Sequence, residues 1–399
     1  MVAVPPSHLP IGEPGHPRPG ARAGLPSRTR MWSAYWWRNS GHPLGLRLRA
    51  AWETRDGAVA PAVVSHLGGL SVAYTGLPEG VAHTLEFTEH RRAQPGELTA
   101  RRVSQRLRAA DLQYPARLPD ADIVITGTST QRARSLSSAA TLVMPMKVHL
   151  VVDIDGDAES LRRRISKRER SQFSRGQREH DWNWQVETDP ARFDLFYHRM
   201  YRPTMQRRHG VRERTESAET AYECLFRGGR LFLLHQNDRP VAGALCHWAP
   251  RSGTLTLRLL GVLDGAAEHY ASGAFKAVYH YLVSWAGEND VSRVDFQGTE
   301  PFLSKGTFQW KRRFGSRVII PPTHFGAKRL CLSVRRDTPA VRDFLVGNPV
   351  LVECEDGSLE AVYFTDSQRP PRLDFSAKAP GVDRIREVDL DDFLCRLSR

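Results

Sequence analysis

The chain has little lysine. Of 57 Lys and Arg residues only seven are lysine, so each lysine calls for more explanation than an arginine does. Cysteine is also scarce: five residues, at 224, 246, 331, 354 and 395, odd in number and widely scattered. No Cys-x-x-Cys pair or Cys/His cluster points to a metal site or a disulfide framework, so no metal is expected and a reducing cytoplasm is. Cys246 and Cys331 lie in strand-like apolar runs, where a thiol acts as a small hydrophobe. No apolar run approaches the ~18 residues of a membrane-spanning helix. The P-loop, Gly-x-Gly-x-x-Gly, His-Glu-x-x-His and Gly-x-Ser-x-Gly patterns are all missing, which removes nucleotide hydrolysis, metalloproteolysis and serine hydrolysis.

What is present begins with charge. The net charge of +13 favours a polyanionic or phosphorylated partner. Residues 1–24 are rich in Pro, Gly and Arg and lack the apolar core of a secretory signal. A disordered tail over 1–30 is the expectation, because such a segment buries too little surface to order itself.

From Leu44 to Leu77 apolar stretches alternate with Gly and Pro breaks, and Leu46–Trp52, Val59–Val64 and Leu70–Tyr74 read as strands. Glu97 to Leu112 has helical spacing through Leu98, Val103, Leu107 and Leu112. Asp122–Thr126 and Thr141–Ile154 read as β-rich runs, so residues 31–156 form a first α/β unit. Residues 157–180 read as one basic connector helix capped by Asp157. After it come a strand, two helices, three strands, a helix, a strand, a short helix and a strand, spanning 181–335. Residues 336–399 add a helix, a hairpin around Glu355-Asp356-Gly357 and a last short helix, with no visible chemistry.

The densest signal is Val294-Asp295-Phe296-Gln297-Gly298-Thr299-Glu300-Pro301, followed by Phe302-Leu303-Ser304-Lys305-Gly306-Thr307-Phe308-Gln309 and Trp310-Lys311-Arg312-Arg313-Phe314-Gly315. A strand ends on an acid, a Gly- and Pro-marked loop follows, and two of the seven lysines fall in the segment after it. This stretch resembles the signature of the Fem-type and BioF2-like branch of the GNAT acyltransferase superfamily, a strand and loop leading to Phe-Lys-x-x-Phe-Gly. Trp310 replaces the first phenylalanine, while Lys311, Phe314 and Gly315 match. The order of elements over 181–322 is also that of a GNAT domain. The resemblance implies an α/β (α+β) fold of tandem GNAT-like domains, with mixed, mostly antiparallel sheets flanked by helices.

It further implies a transferase. An aminoacyl group would pass from aminoacyl-tRNA to the amine or hydroxylamine of a small acceptor, a secondary metabolite or a peptidoglycan precursor. Lys311 takes the place of the family's lysine, beside an ester oxygen that becomes anionic. Asp295 is a candidate base, with Glu300 and His247 as others. Lys305, Trp310, Phe314, Gly315, Glu300 and His247 are expected at the substrate, and Arg164, Lys167, Arg168, Arg207, Arg208, Arg312 and Arg313 at tRNA phosphates. No resident cofactor is expected; aminoacyl-tRNA is the co-substrate. Acetyl-CoA is the alternative donor, but the loop that would hold its pyrophosphate reads Tyr270-Ala271-Ser272-Gly273-Ala274-Phe275, where only Gly273 fits the small-residue pattern. A non-catalytic RNA-binding protein on the same scaffold is the third reading. Oligomeric state has no signal in the sequence.

Overall fold

The computed structural model describes residues 25–39, 41–93, 100–136, 140–209 and 215–395. Two helices lead, α1 (Leu25–Asn39) and α2 (Pro43–Glu53). Residues 25–30 thus belong to a helix, and only 1–24 of the expected tail lie outside the described residues. Strands β1 (Val59–Leu67) and β2 (Leu70–Gly76) form a hairpin; helix α3 (Glu86–Arg92), strands β3 (Arg101–Arg108), β4 (Ile123–Ser129), β5 (Thr141–Pro145) and β6 (Val148–Asp153) follow.

Two local expectations fail in mirror fashion. Leu46–Trp52 belongs to a helix, because Pro43 opens α2 at its first turn, where a missing N–H costs nothing. Arg101–Arg108 is a strand, because it pairs antiparallel with β1 along its whole length; the expected helix's residues 97–99 lie outside the described residues. The connector is two helices, α4 (Ala158–Arg164) and α5 (Lys167–His180). Asp157 caps the first by accepting from Ser160 N. Ile165 turns extended, and Ser166 starts the second by accepting from Glu169 N.

The rest of the chain supplies β7 (Trp182–Glu187), α6 (Arg202–His209), β8 (Arg230–Gln236), β9 (Arg239–Ala249), β10 (Thr254–Val262), α7 (Ala274–Glu288), β11 (Arg293–Thr299), α8 (Gly306–Lys311), β12 (Arg317–Ile319) and β13 (Lys328–Val334). The described strands make a six-stranded sheet, β3-β1-β2-β4-β13-β5, and a seven-stranded sheet, β12-β6-β11-β10-β9-β8-β7. Each has one parallel pair, β2 with β4 and β10 with β11, and is otherwise antiparallel.

The two sheets exchange strands. β6 lies in the second sheet between β11 and β12, and β13 lies in the first between β4 and β5. The divisions at 156 and 335 therefore cut across the sheets. The exchange follows from the loops: Met146 and Lys147 alone separate β5 from β6, yet the two strands join different sheets. A third sheet, β14 (Val350–Glu353), β15 (Leu359–Thr365) and β16 (Arg384–Asp389), completes the molecule. Its Leu351, Ala361 and Tyr363 pack with Val148, Leu150, Leu303 and Phe308. Leu303 N donates to Pro349 O, and Leu351 N to Pro301 O. Residues 336–395 thus clamp the loop that follows β11.

Candidate active site

The site grows from a defect in the second sheet. β10 and β11 pair in parallel over three positions only, Thr254–Thr256 against Arg293–Asp295. Beyond them both strands lose register with their outer neighbours: β10 at Arg258 against β9, and β11 between Asp295 and Gly298 against β6. Bulges of this kind bend a strand and re-aim its side chains. Gln297 sits inside the second one at φ 63°, a left-handed backbone that a non-glycine residue rarely takes.

Three side chains hold that strained turn. Asp295 Oδ1 accepts from Gln297 N at 2.7 Å, and Asp295 Oδ2 bonds His149 Nδ1 at 2.8 Å. Lys311, from α8, reaches under the bulge and donates from Nζ to Phe296 O at 2.5 Å and Gln297 O at 3.3 Å. All three side chains are buried. Burial pushes the Lys311 ammonium down to about 8, against the opposing pull of Asp295 and Glu300. A carboxylate facing Nδ1 makes that nitrogen the donor, which leaves Nε2 of a neutral imidazole as the acceptor.

A cavity of about 280 Å3 opens here, lined among others by His149, Gln297, Gly298, Lys147, Arg258 and Arg38. It lies at the seam where the sheets trade strands, closed on one side by Thr323, His324 and Phe325. A Cβ at Gly298 would stand 3.2 Å from His149 Cδ2 and 3.4 Å from Nε2; glycine there leaves that edge of the ring open. Burial, followed by Lys328 and Arg49, lowers His324 to about 4, so at neutral pH it is an uncharged wall. The cavity therefore combines an oriented imidazole with three cationic side chains, Lys147, Arg38 and Arg258, and one carboxylate, Glu216.

The sequence-expected residues separate in the structure. Asp295 and Lys311 are brought together, but neither lines the cavity; they stand behind its Gln297–Gly298 wall. Glu300 is buried beside them in an ionic cluster, with Lys305 Nζ 3.0 Å away and His83 Nδ1 3.8 Å away. Burial raises its carboxyl, but Lys305 and Lys147 together hold it below the ordinary value. That leaves it a charge partner more than a proton acceptor. His247 faces Thr256 across the β9–β10 ladder and is lowered by burial and then by Arg258; it does not line the cavity. Trp310 and Phe314 pack against Tyr279, and Phe314 also against Phe296. Gly315 takes φ 68° against Arg164, which a Cβ would strike at 2.7 Å. These three serve the core of the domain.

Most of the expected phosphate ligands already have partners. Arg164 pairs with Asp155, Arg313 with Glu169, and Arg312 with Gln309. Arg207 donates to Gly265 O, and Arg208 lies 4.7 Å over the Phe275 ring. Lys167 and Arg168 are exposed. His149, Lys147, Arg38 and Arg258 were not singled out in the sequence. The available signals were the scarcity of lysine, which marks Lys147, and a lone histidine in the apolar run Val148–Asp153, which usually marks a satisfied strand histidine.

The model of the acetyltransferase (GNAT) domain family matches residues 159–312. This segment is a GNAT domain. It holds the opened strand pair, Asp295 and Lys311, while His149 and Lys147 reach it from outside the matched segment on the exchanged strand β6 and the turn before it. The match covers less than half of the chain and supports an acyltransferase of GNAT type. No curated protein matches the chain. Among solved structures it is similar to L-PGS from Bacillus licheniformis, at 12% identity over 82% of this chain and 97% of that one, with a TM-score of 0.37. FemX gives 12% identity over 69% and 85%, at 0.37. A GCN5-related N-acetyltransferase from Kribbella flavida gives 14% over 76% and 98%, at 0.28. Scores this low carry no argument about substrate or partner. No described helix is long and apolar enough to cross a membrane.

Proposed function

We propose that the chain transfers an aminoacyl group from aminoacyl-tRNA to the amine or hydroxylamine of a small acceptor, by ester aminolysis in the cavity beside His149. The observation that carries this reading is the Asp295-held imidazole on a cavity walled by Lys147, Arg38 and Arg258. The acceptor nitrogen attacks the ester carbonyl carbon while His149 Nε2 takes its proton. The C–N bond forms, the C–O bond to the ribose breaks, and the same proton passes to the departing 3′-oxygen. The cavity's cations face the oxyanion and the terminal phosphates; fixed charge of this kind is worth about 3–4 kcal/mol per group. Lys311 supplies positive charge from behind the wall and holds the carbonyls of the bulge, so we assign it as a positioning residue. A space of about 280 Å3 admits the ester and a small acceptor but not a whole donor, which fits a macromolecular donor entering by its end.

The start of α7, where acyl-CoA pyrophosphate would sit on backbone amides, argues against that donor. Phe275 packs there on Tyr270 at 5.1 Å, beneath the Arg208 guanidinium. One feature favours CoA as the second reading: a cavity of about 350 Å3 beside Ser272, Gly273 and Lys276. Mass spectrometry of products from charged tRNA or acetyl-CoA with a panel of amines separates the two. The tRNA reading expects an amide that vanishes on ribonuclease treatment. Amide formed from acetyl-CoA and indifferent to ribonuclease overturns it, as does RNA affinity with no turnover.

A further inference from the structure

Helices α1 and α2 turn their apolar residues outward. On α1, Met31, Tyr35 and Asn39 face the body, and Trp32, Trp36 and Trp37 are each more than half exposed, at 57%, 62% and 52%. On α2, Ala50 is buried, while Leu44, Leu48 and Trp52, at i, i+4 and i+8, are 62%, 69% and 67% exposed. Four of the nine tryptophans therefore stand in solvent on two consecutive helices. Clustered exposure of this kind marks a docking face, since isolated apolar residues on a surface need no explanation but a patch does. The helices are tied together: Arg49 donates to Trp37 O and Arg38 O. They are also anchored, through Arg28 on Glu223 and the buried Tyr35.

The surrounding charge selects the occupant. Residues 25–55 hold six arginines and one acid, Glu53. Glu53 is consumed by Lys328 and Arg49. Arg30, Arg47 and Arg55 are exposed and make no ion pair among the described residues, and Arg55 lies 3.9 Å over the Trp52 ring. We infer that this face docks the protein on the surface of an anionic phospholipid bilayer, lying in the interface without crossing it. Tryptophan suits that zone because its ring is apolar and its N–H finds headgroup acceptors. Basic residues beside an apolar helical face add attraction to anionic lipid. A second copy fits poorly: a two-fold contact sets the same arginines against each other. Single-stranded RNA would use the tryptophans but leaves Leu44 and Leu48 without a role. The inference is independent of the donor proposed above.

The test is co-sedimentation of the full chain with vesicles of phosphatidylcholine and phosphatidylglycerol in equal parts, against phosphatidylcholine alone, at low and high salt. Partition onto the mixed vesicles is expected, weakened by salt, with a blue shift of tryptophan emission. The variant Trp32→Ser/Leu48→Ser/Trp52→Ser should lower partition by at least about tenfold. Arg30→Glu/Arg47→Glu should abolish the preference for phosphatidylglycerol. Unchanged melting of both variants shows that folding is intact, since every altered side chain is exposed. The inference is overturned if the wild type ignores the vesicles, or if neither variant changes partition. It is also overturned if the triple variant instead dissolves a dimer seen by sedimentation velocity or abolishes binding of an RNA oligonucleotide. Emission already blue and indifferent to vesicles overturns it too, because the face is then covered by the chain itself.

Discussion

The first and second sheets are built to one strand plan, yet one is shut and the other open. In the first, β2 and β4 pair over five positions, Val72–Gly76 against Ile123–Gly127, and Leu77 N extends the contact to Gly127 O. Tyr74 fills the space beside them: its hydroxyl donates to Leu77 O at 2.6 Å, and a Cβ at Gly80 or Gly127 would stand 2.0 Å from it. In the second sheet the equivalent pair parts after three positions. Each unit also buries one lysine, with opposite effect. Lys328 is neutralised by Glu53 at 2.5 Å and Glu79 at 2.7 Å. Lys311 hydrogen-bonds backbone carbonyls and, with Asp295 and Glu300 nearby, makes no direct ion pair with either among the described residues. The lesson is that the plan itself confers no site. The site comes from releasing one strand pair and leaving positive charge behind it.

Substitutions that swap these properties sharpen the contrast. Lys328→Ala should cost the most, about 3–5 kcal/mol of stability, because Glu79 loses its cation and Glu53 keeps only Arg49; chemical denaturation measures it. Lys311→Met should cost turnover instead, about a hundredfold, because the Gln297–Gly298 wall of the cavity loses the donor that fixes it and the reacting groups are misplaced. Equal stability losses in the two variants would erase the distinction between the lysines.

The pH profile gives a finer contrast. Lys311 titrates near 8, below its ordinary 10.5, so its cation is lost as pH rises through about 8, and wild-type turnover should fall there. In Lys311→Arg any activity left should persist to higher pH, because arginine stays protonated. The stability effect has the opposite sign. Between about 8 and 10.5 the unfolded chain binds more protons at this group, so its contribution makes wild-type stability rise with pH across that window. Lys311→Met should lack this rise. The smallest effect is expected for Tyr74→Phe, which removes one buried hydrogen bond, worth about 1 kcal/mol, and leaves turnover unchanged. A loss of activity in that variant would mean that the shut unit takes part in catalysis.

The second unit was the more legible of the two in the sequence. Its strands, helices and turns carry period-2 and period-3.6 patterns that agree with their neighbours, and the stretch 294–315 drew attention to Asp295 and Lys311. The first unit misled where apolar residues recur every four positions. Leu44, Leu48 and Trp52 fit a helix, but Leu46, Leu48, Ala50 and Trp52 fit a strand equally; Val103 and Leu107 fit both as well. An even spacing does not separate the two periods, so Pro43 and the pairing with β1 decided. The strand exchange was invisible because nothing local marks which sheet β6 or β13 joins. His149 went unnoticed for the same reason. It lies 146 positions before Asp295 in the chain, and only the exchange brings the two within 2.8 Å.

The central claim is that the imidazole of His149, held by Asp295 at the opened strand pair, moves the acceptor's proton. Single-turnover amide formation by His149→Gln, with the donor found for the wild type, tests it most directly. The account predicts a rate lower by about 10²–10⁴-fold with melting unchanged. A rate equal to wild type in a folded His149→Gln protein would contradict it.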